Sequence, residues 1–140
     1  MVTLNPYLNF PGNAEEAFNL YKSVFGGDFS FLQRFKDTPE GPKVAGAEKE
    51  MLMHVSLPVG KGNILMATDT LDSLGQKLVV GNNFHIHAES ESREEAEKIF
   101  KGLSGGGKVN MPLQDTFWGA YFGMLQDKFG IRWMVSHTKK

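Results

Sequence analysis

The order of apolar and polar residues in the first half of the chain predicts a strand, a helix and then three strands. Alternation with a period of two predicts strands at residues 2–10, 29–35, 50–57 and 64–68, the last two as a hairpin around a Gly-rich turn. Asn13 and Glu16 have the spacing of a helix capping box, and apolar residues then recur on one helical face at Ala17, Leu20, Tyr21 and Val24. A stretch rich in Pro and Gly at residues 37–47 predicts a loop.

The second half of the chain repeats this order, 79 residues further on when counted from Asn13 to Ser92. Both helices begin with related five-residue sequences, at residues 13–17 and 92–96, and both are followed by paired glycines. After a linker at residues 70–81, the pattern predicts a helix at residues 92–103, capped by Ser92 and Glu95. The predicted strands of this half lie at residues 82–89, 108–115, 118–125 and 131–137.

Each half is therefore a predicted βαβββ module, in which one helix covers only one face of a four-stranded sheet. A stable solution for two such modules is to pair, so that their uncovered faces form a shared cleft. The predicted fold class is α+β, with two βαβββ modules, at residues 1–69 and 82–140, forming an open, incomplete β-barrel cleft in one domain. A cleft of this kind is a common place for a small-molecule site.

Composition and charge exclude several classes of function. The chain has 15 Lys and Arg against 16 Asp and Glu, without a basic stripe, so neither nucleic acid nor a membrane surface is an expected partner. It contains no Cys, which excludes disulfides, thiolate metal sites and cysteine nucleophiles. No apolar run approaches the ~20 residues of a membrane span, and no signal peptide is evident, so the predicted location is cytoplasmic.

Four stretches of the chain resemble the PhnB-like branch of the vicinal oxygen chelate superfamily, which includes glyoxalase I, extradiol dioxygenases and bleomycin-resistance proteins. These stretches are residues 5–8 with 12–18, residues 21–27, residues 66–69, and residues 109–119 with 127–134. The resemblance implies the glyoxalase/bleomycin resistance fold and a homodimer.

Enzymes of this superfamily hold a divalent ion with residues from the first and last strand of each module, typically His and Glu. Carried over by register, the resemblance puts Asn5, Met66, His85 and Met134 at these positions. This set has no carboxylate and two thioethers, which suit soft ions rather than Zn²⁺, Ni²⁺, Fe²⁺ or Mn²⁺. We therefore expect no cofactor and disfavour a divalent metal. A register shift of one residue would turn His85 and His87 away from the cleft.

Other residues are candidates for ligand binding or acid–base chemistry. His85 and His87 share one strand face with Glu89, either as a polar patch in the cleft or as outward-facing polar residues. His54 interrupts an apolar strand and shares a face with Ser56, either in the cleft or as a hydrogen-bonded core residue. Residues 115–119 form either a tight strand connection or an aromatic cleft wall. The catalytic candidates are His54, His85 and Asp115, and the predicted ligand-binding residues are Tyr7, His54, His85, His87, Asp115, Phe117, Trp118 and Trp133.

These features predict a protein that binds a small apolar or aromatic molecule in the cleft without the usual metal centre. One alternative is an enzyme of the superfamily, either metal-dependent or using His54, His85 and Asp115 for acid–base chemistry. A second alternative is a drug-sequestering resistance protein, which differs from the first hypothesis mainly in its ligand.

Overall fold

The computed structural model of the protein describes residues 1–39, 44 and 46–139, and these form two compact units, Met1–Val79 and Val80–Lys140. Residues 40–43 and 45 of the predicted loop lie outside the described residues. Each unit has one helix and four strands in the order βαβββ, so the predicted α+β fold of two such modules is confirmed.

The helices and strands occur close to the predicted positions. The first unit contains β1 (Tyr7–Phe10), α1 (Ala14–Phe25), β2 (Phe31–Arg34), β3 (Leu52–Val59) and β4 (Asn63–Asp69). The second contains β5 (Ile86–Glu89), α2 (Arg93–Ser104), β6 (Lys108–Asp115), β7 (Ala120–Gln126) and β8 (Arg132–Thr138). Short 3₁₀ turns lie at Phe35–Asp37, Gly46–Glu50 and Asp72–Leu74. None of the helices in the described part of the chain is both long and apolar enough to cross a membrane.

The two sheets have the same topology, with strand orders β1-β4-β3-β2 and β5-β8-β7-β6. In each sheet the first and last strands of the module are parallel, and the remaining pairs are antiparallel. Tyr7 pairs with Met66 in the first sheet, and His87 pairs with Met134 in the second. Tyr7 and His87 are therefore equivalent positions of the duplicated module.

One face of each sheet packs against the helix of its own unit. The buried residues of α1 are Ala14, Ala17, Phe18 and Tyr21, so Phe18 replaces the predicted Leu20 and Val24, which are only half-buried. In the second unit, α2 lies so close to β7 that a Cβ atom on Gly123 would come within 2.8 Å of the Phe100 ring. The remaining buried residues of α2 are Ala96, Ile99 and Leu103.

The two helices are capped in different ways. The predicted capping box at Asn13 is wrong: its backbone has φ −115° and ψ 28°, and its side chain makes no capping hydrogen bond. Asp69 at the end of β4 caps the helix instead, because its Oδ1 atom accepts the N–H groups of Gly12 at 3.1 Å and Ala14 at 2.9 Å. The predicted cap of α2 is confirmed, since the Ser92 hydroxyl accepts the N–H of Glu95 at 3.0 Å.

The first strand of each module is shorter than predicted. Residues 2–10 and 82–89 were expected to be extended, but β1 and β5 have only four residues each. Each of these two strands pairs with a single neighbour, and Pro6 has no N–H to extend the ladder of β1.

Candidate functional site

The face of the first sheet that α1 does not cover carries polar, aromatic and thioether side chains. Strand alternation places them on the same side, because residues that pair across neighbouring strands face the same way. We call this surface the first open face, and it consists of Tyr7, Phe31, Gln33, His54, Ser56 and Met66.

His54 is the centre of a hydrogen-bonded chain on the first open face. Its Nδ1 atom lies 3.1 Å from the hydroxyl oxygen of Tyr7, and its Nε2 atom lies 2.7 Å from the hydroxyl oxygen of Ser56. The rings of Tyr7 and Phe31 flank the imidazole, with centroid distances of 5.5 Å and 5.6 Å. Both ring nitrogens are therefore occupied, and the aromatic rings fix the orientation of the imidazole.

The exposed end of this chain is Tyr7, because Ser56 is only 7% exposed whereas Tyr7 is 47% exposed. Burial raises the pKa of Tyr7, so the phenol stays protonated at neutral pH. If Ser56 donates to Nε2, then Nδ1–H donates to Tyr7 and the phenol hydrogen points outward. If instead Tyr7 donates to Nδ1, its oxygen is left to accept. The chain can thus present either a donor or an acceptor to a ligand.

The second sheet has an equivalent face, opposite α2. We call it the second open face, and it consists of His87, Glu89, Phe122, Met124, Met134 and Ser136. The Ser136 hydroxyl lies 2.7 Å from Nε2 of His87 and donates to Oε1 of Glu89 at 2.9 Å.

Glu89 is held as a carboxylate. Burial alone would raise the pKa of Glu89, but hydrogen bonds from the Thr138 N–H and from the hydroxyls of Ser136 and Thr138 lower it below its ordinary value. The Thr138 N–H donates to Oε2 of Glu89 at 2.8 Å. Both oxygens of this side chain therefore act as acceptors at neutral pH.

The remaining predicted site residues are dispersed. His85 is half-buried and lies just before β5. Asp115 points toward the helix side of the second sheet, where its carboxylate pairs with the Arg93 guanidinium at 2.7 Å. That hydrogen bond lowers the pKa of Asp115, so it is an ion-pair partner of α2 and is not on the second open face.

The aromatic candidates separate into an exposed pair and a buried residue. Phe117 is 97% exposed and Trp118 is 56% exposed, in the turn between β6 and β7. The Trp118 ring contacts that of Phe122, with a centroid distance of 5.8 Å. Trp133 is 2% exposed, and its indole N–H donates to Asp127 at 2.9 Å. Trp133 is therefore a core residue of the second unit, and we leave it out of the site.

The four positions that the superfamily uses for a metal do not fit a divalent ion. In the first unit, the Asn5 amide oxygen already accepts the Ile64 N–H at 2.9 Å, and Met66 offers only a thioether. In the second unit, the positions hold one imidazole, His85, and a second thioether, Met134. Without a carboxylate this donor set is unsuited to Zn²⁺, Fe²⁺ or Mn²⁺. Among the residues that the structure describes, no three His, Asp or Glu side chains cluster as metal ligands.

Sequence reasoning missed several residues of these faces, among them Phe31 and Ser136. Phe31 was not singled out, although it pairs with Ser56 at the start of β2. Ser136 was also missed, although it lies two residues after Met134 and so shares its face. The period-two alternation of β8 would have identified Ser136, whereas Phe31 required the register of β2 against β3.

Comparison with known proteins agrees with this architecture. The family model of the Glyoxalase/Bleomycin resistance protein/Dioxygenase superfamily matches residues 3–135. Protein YjdN of Escherichia coli (strain K12) is 27% identical over 145 residues, which cover 98% of this chain and 96% of YjdN. The crystal structure of protein PA1353 from Pseudomonas aeruginosa is 36% identical, covers 100% of both chains and has a TM-score of 0.87.

A second solved structure is similar in fold. The PhnB protein from Bacillus cereus is 24% identical, with a TM-score of 0.79 over 98% of this chain and 100% of that chain. The chain belongs to the Glyoxalase/Bleomycin resistance protein/Dioxygenase superfamily, and its expected place in the PhnB-like branch is confirmed.

Proposed function

We propose that this protein binds a small apolar or aromatic molecule carrying one polar group, and that the first open face is the binding surface. The observation that carries the proposal is the chain from Tyr7 through His54 to Ser56, at 3.1 Å and 2.7 Å. Aromatic rings and a few oriented polar groups are the usual lining of a small-molecule site.

The first open face supports an apolar ligand with a polar anchor. Phe31 is 48% exposed and offers a ring beside His54, while Met66 lies between the positions of Tyr7 and Ser56. A thioether adapts to ligands of varied shape, and aromatic rings favour planar ones. The Tyr7 hydroxyl is the polar anchor, because it is the exposed end of the hydrogen-bonded chain.

The experiment is a titration with the apolar fluorescent probe N-phenyl-1-naphthylamine. Tyr7→Phe removes only the anchoring hydroxyl, and we expect it to weaken binding about three- to tenfold, as for one net hydrogen bond. Phe31→Ala should weaken binding similarly through lost ring contact. The matched control is Tyr121→Phe, since Tyr121 faces the helix side and donates to Glu97. The proposal fails if the wild type shows no saturable binding, or if Tyr7→Phe and Phe31→Ala bind like Tyr121→Phe.

An acid–base enzyme is the second candidate function. It is favoured by the 2.7 Å contact between His54 Nε2 and the Ser56 hydroxyl, which is short enough for proton transfer. One of the three residues expected to act together does not support it, because Asp115 pairs with Arg93 on the helix side of the second sheet. The burial of Ser56 also argues against a nucleophile, so any chemistry would use Tyr7 and His54.

The state of assembly belongs to this proposal as well. A βαβββ unit has strand edges that need a partner, and a homodimer satisfies them by symmetry. Light scattering should then give about twice the chain mass of 15.6 kDa. A mass of one chain at micromolar concentration would contradict the homodimer without affecting the binding proposal.

A further inference from the structure

The direction of the hydrogen bonds on the second open face follows from the chemistry of its three members. The Glu89 carboxylate can only accept, so the single hydrogen of the Ser136 hydroxyl is directed to Glu89 Oε1 at 2.9 Å. The Ser136 oxygen must then accept from His87, whose Nε2 atom is 2.7 Å away. His87 is therefore protonated at Nε2, and in its neutral form Nδ1 carries a lone pair.

The lone pair on Nδ1 of His87 is accessible to a ligand. The His87 side chain is 50% exposed, and its Nδ1 atom has no hydrogen-bond partner among the residues that the structure describes. The first open face differs, because both ring nitrogens of His54 are occupied there and the exposed group is a phenol.

An aromatic surface lies beside this acceptor. Ser136 pairs with Phe122 on β7, and the Phe122 ring contacts Trp118 at a centroid distance of 5.8 Å. β5 and β7 both flank β8, and His87 pairs with Met134 whereas Phe122 pairs with Ser136. His87 and Phe122 are therefore two strand spacings and two residues apart, about 12 Å. An aromatic molecule bound on this face would lie over Met134 and Ser136, with its polar group at the β5 end.

We propose that His87 is the hydrogen-bond acceptor of a second binding site, on the second open face, for aromatic molecules that carry a hydroxyl group. Ser136 and Glu89 are its positioning residues, because they fix the hydrogen on Nε2 and leave Nδ1 to accept. Phe122 and Trp118 contact the ring of the ligand. The inference does not depend on binding at the first open face.

Glu89→Gln gives the sharpest test of the polarity. In the wild type the Thr138 N–H donates to Oε2 of Glu89 at 2.8 Å. In the variant this N–H needs an acceptor, so the side-chain oxygen of Gln occupies that position and the amino group of Gln faces Ser136. An amino group there donates to the Ser136 oxygen, and the Ser136 hydrogen turns to His87 Nε2. His87 must then carry its hydrogen on Nδ1 and changes from an acceptor to a donor.

The experiment follows the imidazole nitrogens by NMR in ¹⁵N-labelled protein and titrates 4-methylphenol, which stays protonated at neutral pH, against 4-methylanisole, which lacks the hydroxyl hydrogen. We expect His87 in the Nε2–H form in the wild type, with 4-methylphenol binding about tenfold more tightly than 4-methylanisole, as for one net hydrogen bond. The amide signals of Met134 and Ser136 should shift on saturation, which assigns the binding to this face.

Three variants complete the design. In Glu89→Gln, His87 should gain the Nδ1–H form, and the preference for 4-methylphenol should disappear. His87→Phe should also abolish the preference while keeping a ring at that position. Glu91→Gln is the matched control, since Glu91 is an exposed carboxylate two residues away, and it should behave as the wild type.

Several outcomes would overturn the inference. They are a wild-type His87 with its hydrogen on Nδ1, an unchanged imidazole in Glu89→Gln, and equal binding of the two probes by the wild type. Absence of saturable shifts at Met134 and Ser136 counts against it equally.

Discussion

The hydroxyl oxygen of Tyr7 lies 3.1 Å from Nδ1 of His54, although 47 positions separate the two residues in the chain. Tyr7 is in β1 and His54 is in β3, and these strands do not pair with each other, because β4 lies between them. The two side chains meet over β4, where Met66 faces the same side. The contact therefore forms only when β1, β4 and β3 are assembled in one sheet, and any change that shifts one of these strands separates the pair.

Asp69→Asn should destabilise the first unit by about 2 kcal/mol, because hydrogen bonds to a carboxylate are worth ~1.5–3 kcal/mol each. Asp69 accepts three backbone N–H groups, those of Gly12, Ala14 and Leu52, and an amide can offer only one oxygen. Urea unfolding measures the loss, and faster amide exchange at Leu52 should accompany it. Asp72→Asn, at an exposed carboxylate nearby, is the control, and equal stabilities of the two variants would contradict the prediction.

Glu15 gives a pH-dependent contribution to stability. Its carboxylate forms a two-point ion pair with the Arg34 guanidinium, at 2.7 Å and 2.9 Å, and this hydrogen bonding lowers the pKa of Glu15 below 4.5. Because the folded state has the lower pKa, the stabilisation is present above pH 4.5 and is lost as the pH falls through the folded value. Glu15→Gln should cost about 0.5–1 kcal/mol at neutral pH, since the pair is partly solvated.

Urea unfolding of Glu15→Gln and wild type at a series of pH values measures this dependence. The difference between them should shrink as the pH falls below 4.5. Glu16→Gln, at the exposed neighbouring position, is the control for a general charge effect. A difference for Glu15→Gln that stays constant with pH would show that the ion pair does not stabilise the fold.

Truncation of the two tryptophans should lower the free energy of unfolding by very different amounts. Trp133→Ala should cost about 3–5 kcal/mol, because it removes a buried ring and leaves Asp127 without the indole N–H at 2.9 Å. Trp118→Ala should cost less than about 1 kcal/mol, because more than half of its side chain is already exposed. Urea unfolding of the two variants compares them directly. Similar losses would mean that Trp118 is a structural residue.

Protein purified without chelator should carry well below one divalent ion per chain. The expectation rests on Met66 and Met134 at the positions where a carboxylate would offset the charge of the ion. Elemental analysis for Zn, Ni, Fe and Mn tests it. About one ion per chain would contradict it, and His54, His85, His87 and Glu89 would then be the ligands to examine.

The order of elements could be predicted because it depends on local signals. Alternation in the strands and the paired glycines after both helices depend on neighbouring residues, and each lies within two or three residues of its observed place. β2 has four residues where seven were predicted, and the edge strands β1 and β5 were overestimated most. Their ends are set by a single partner strand, which the residues at 2–6 and 82–85 do not reveal.

The site could be predicted only in part, because its members meet across strands. His54 and His87 stood out as polar residues in sheet strands, but their partners Tyr7 and Ser136 are 47 and 49 positions away. Trp133 could have been assigned from alternation alone. It and Met134 are adjacent in β8 and point to opposite sides of the sheet, so they cannot belong to the same face.

The long-range cap of α1 also has a consequence for how the chain acquires its structure during synthesis. The first turn of α1 is completed by Asp69, 55 positions after Ala14, whereas α2 is completed by Ser92 and Glu95 at its own start. A nascent chain that ends before residue 69 therefore has an incomplete first helix, while the second helix has its cap as soon as it is made. The two modules have the same order of elements, but they differ in when the cap of their helix becomes available. The cap of α1 is the carboxylate of Asp69 at the end of β4, whereas the cap of α2 lies at its own start.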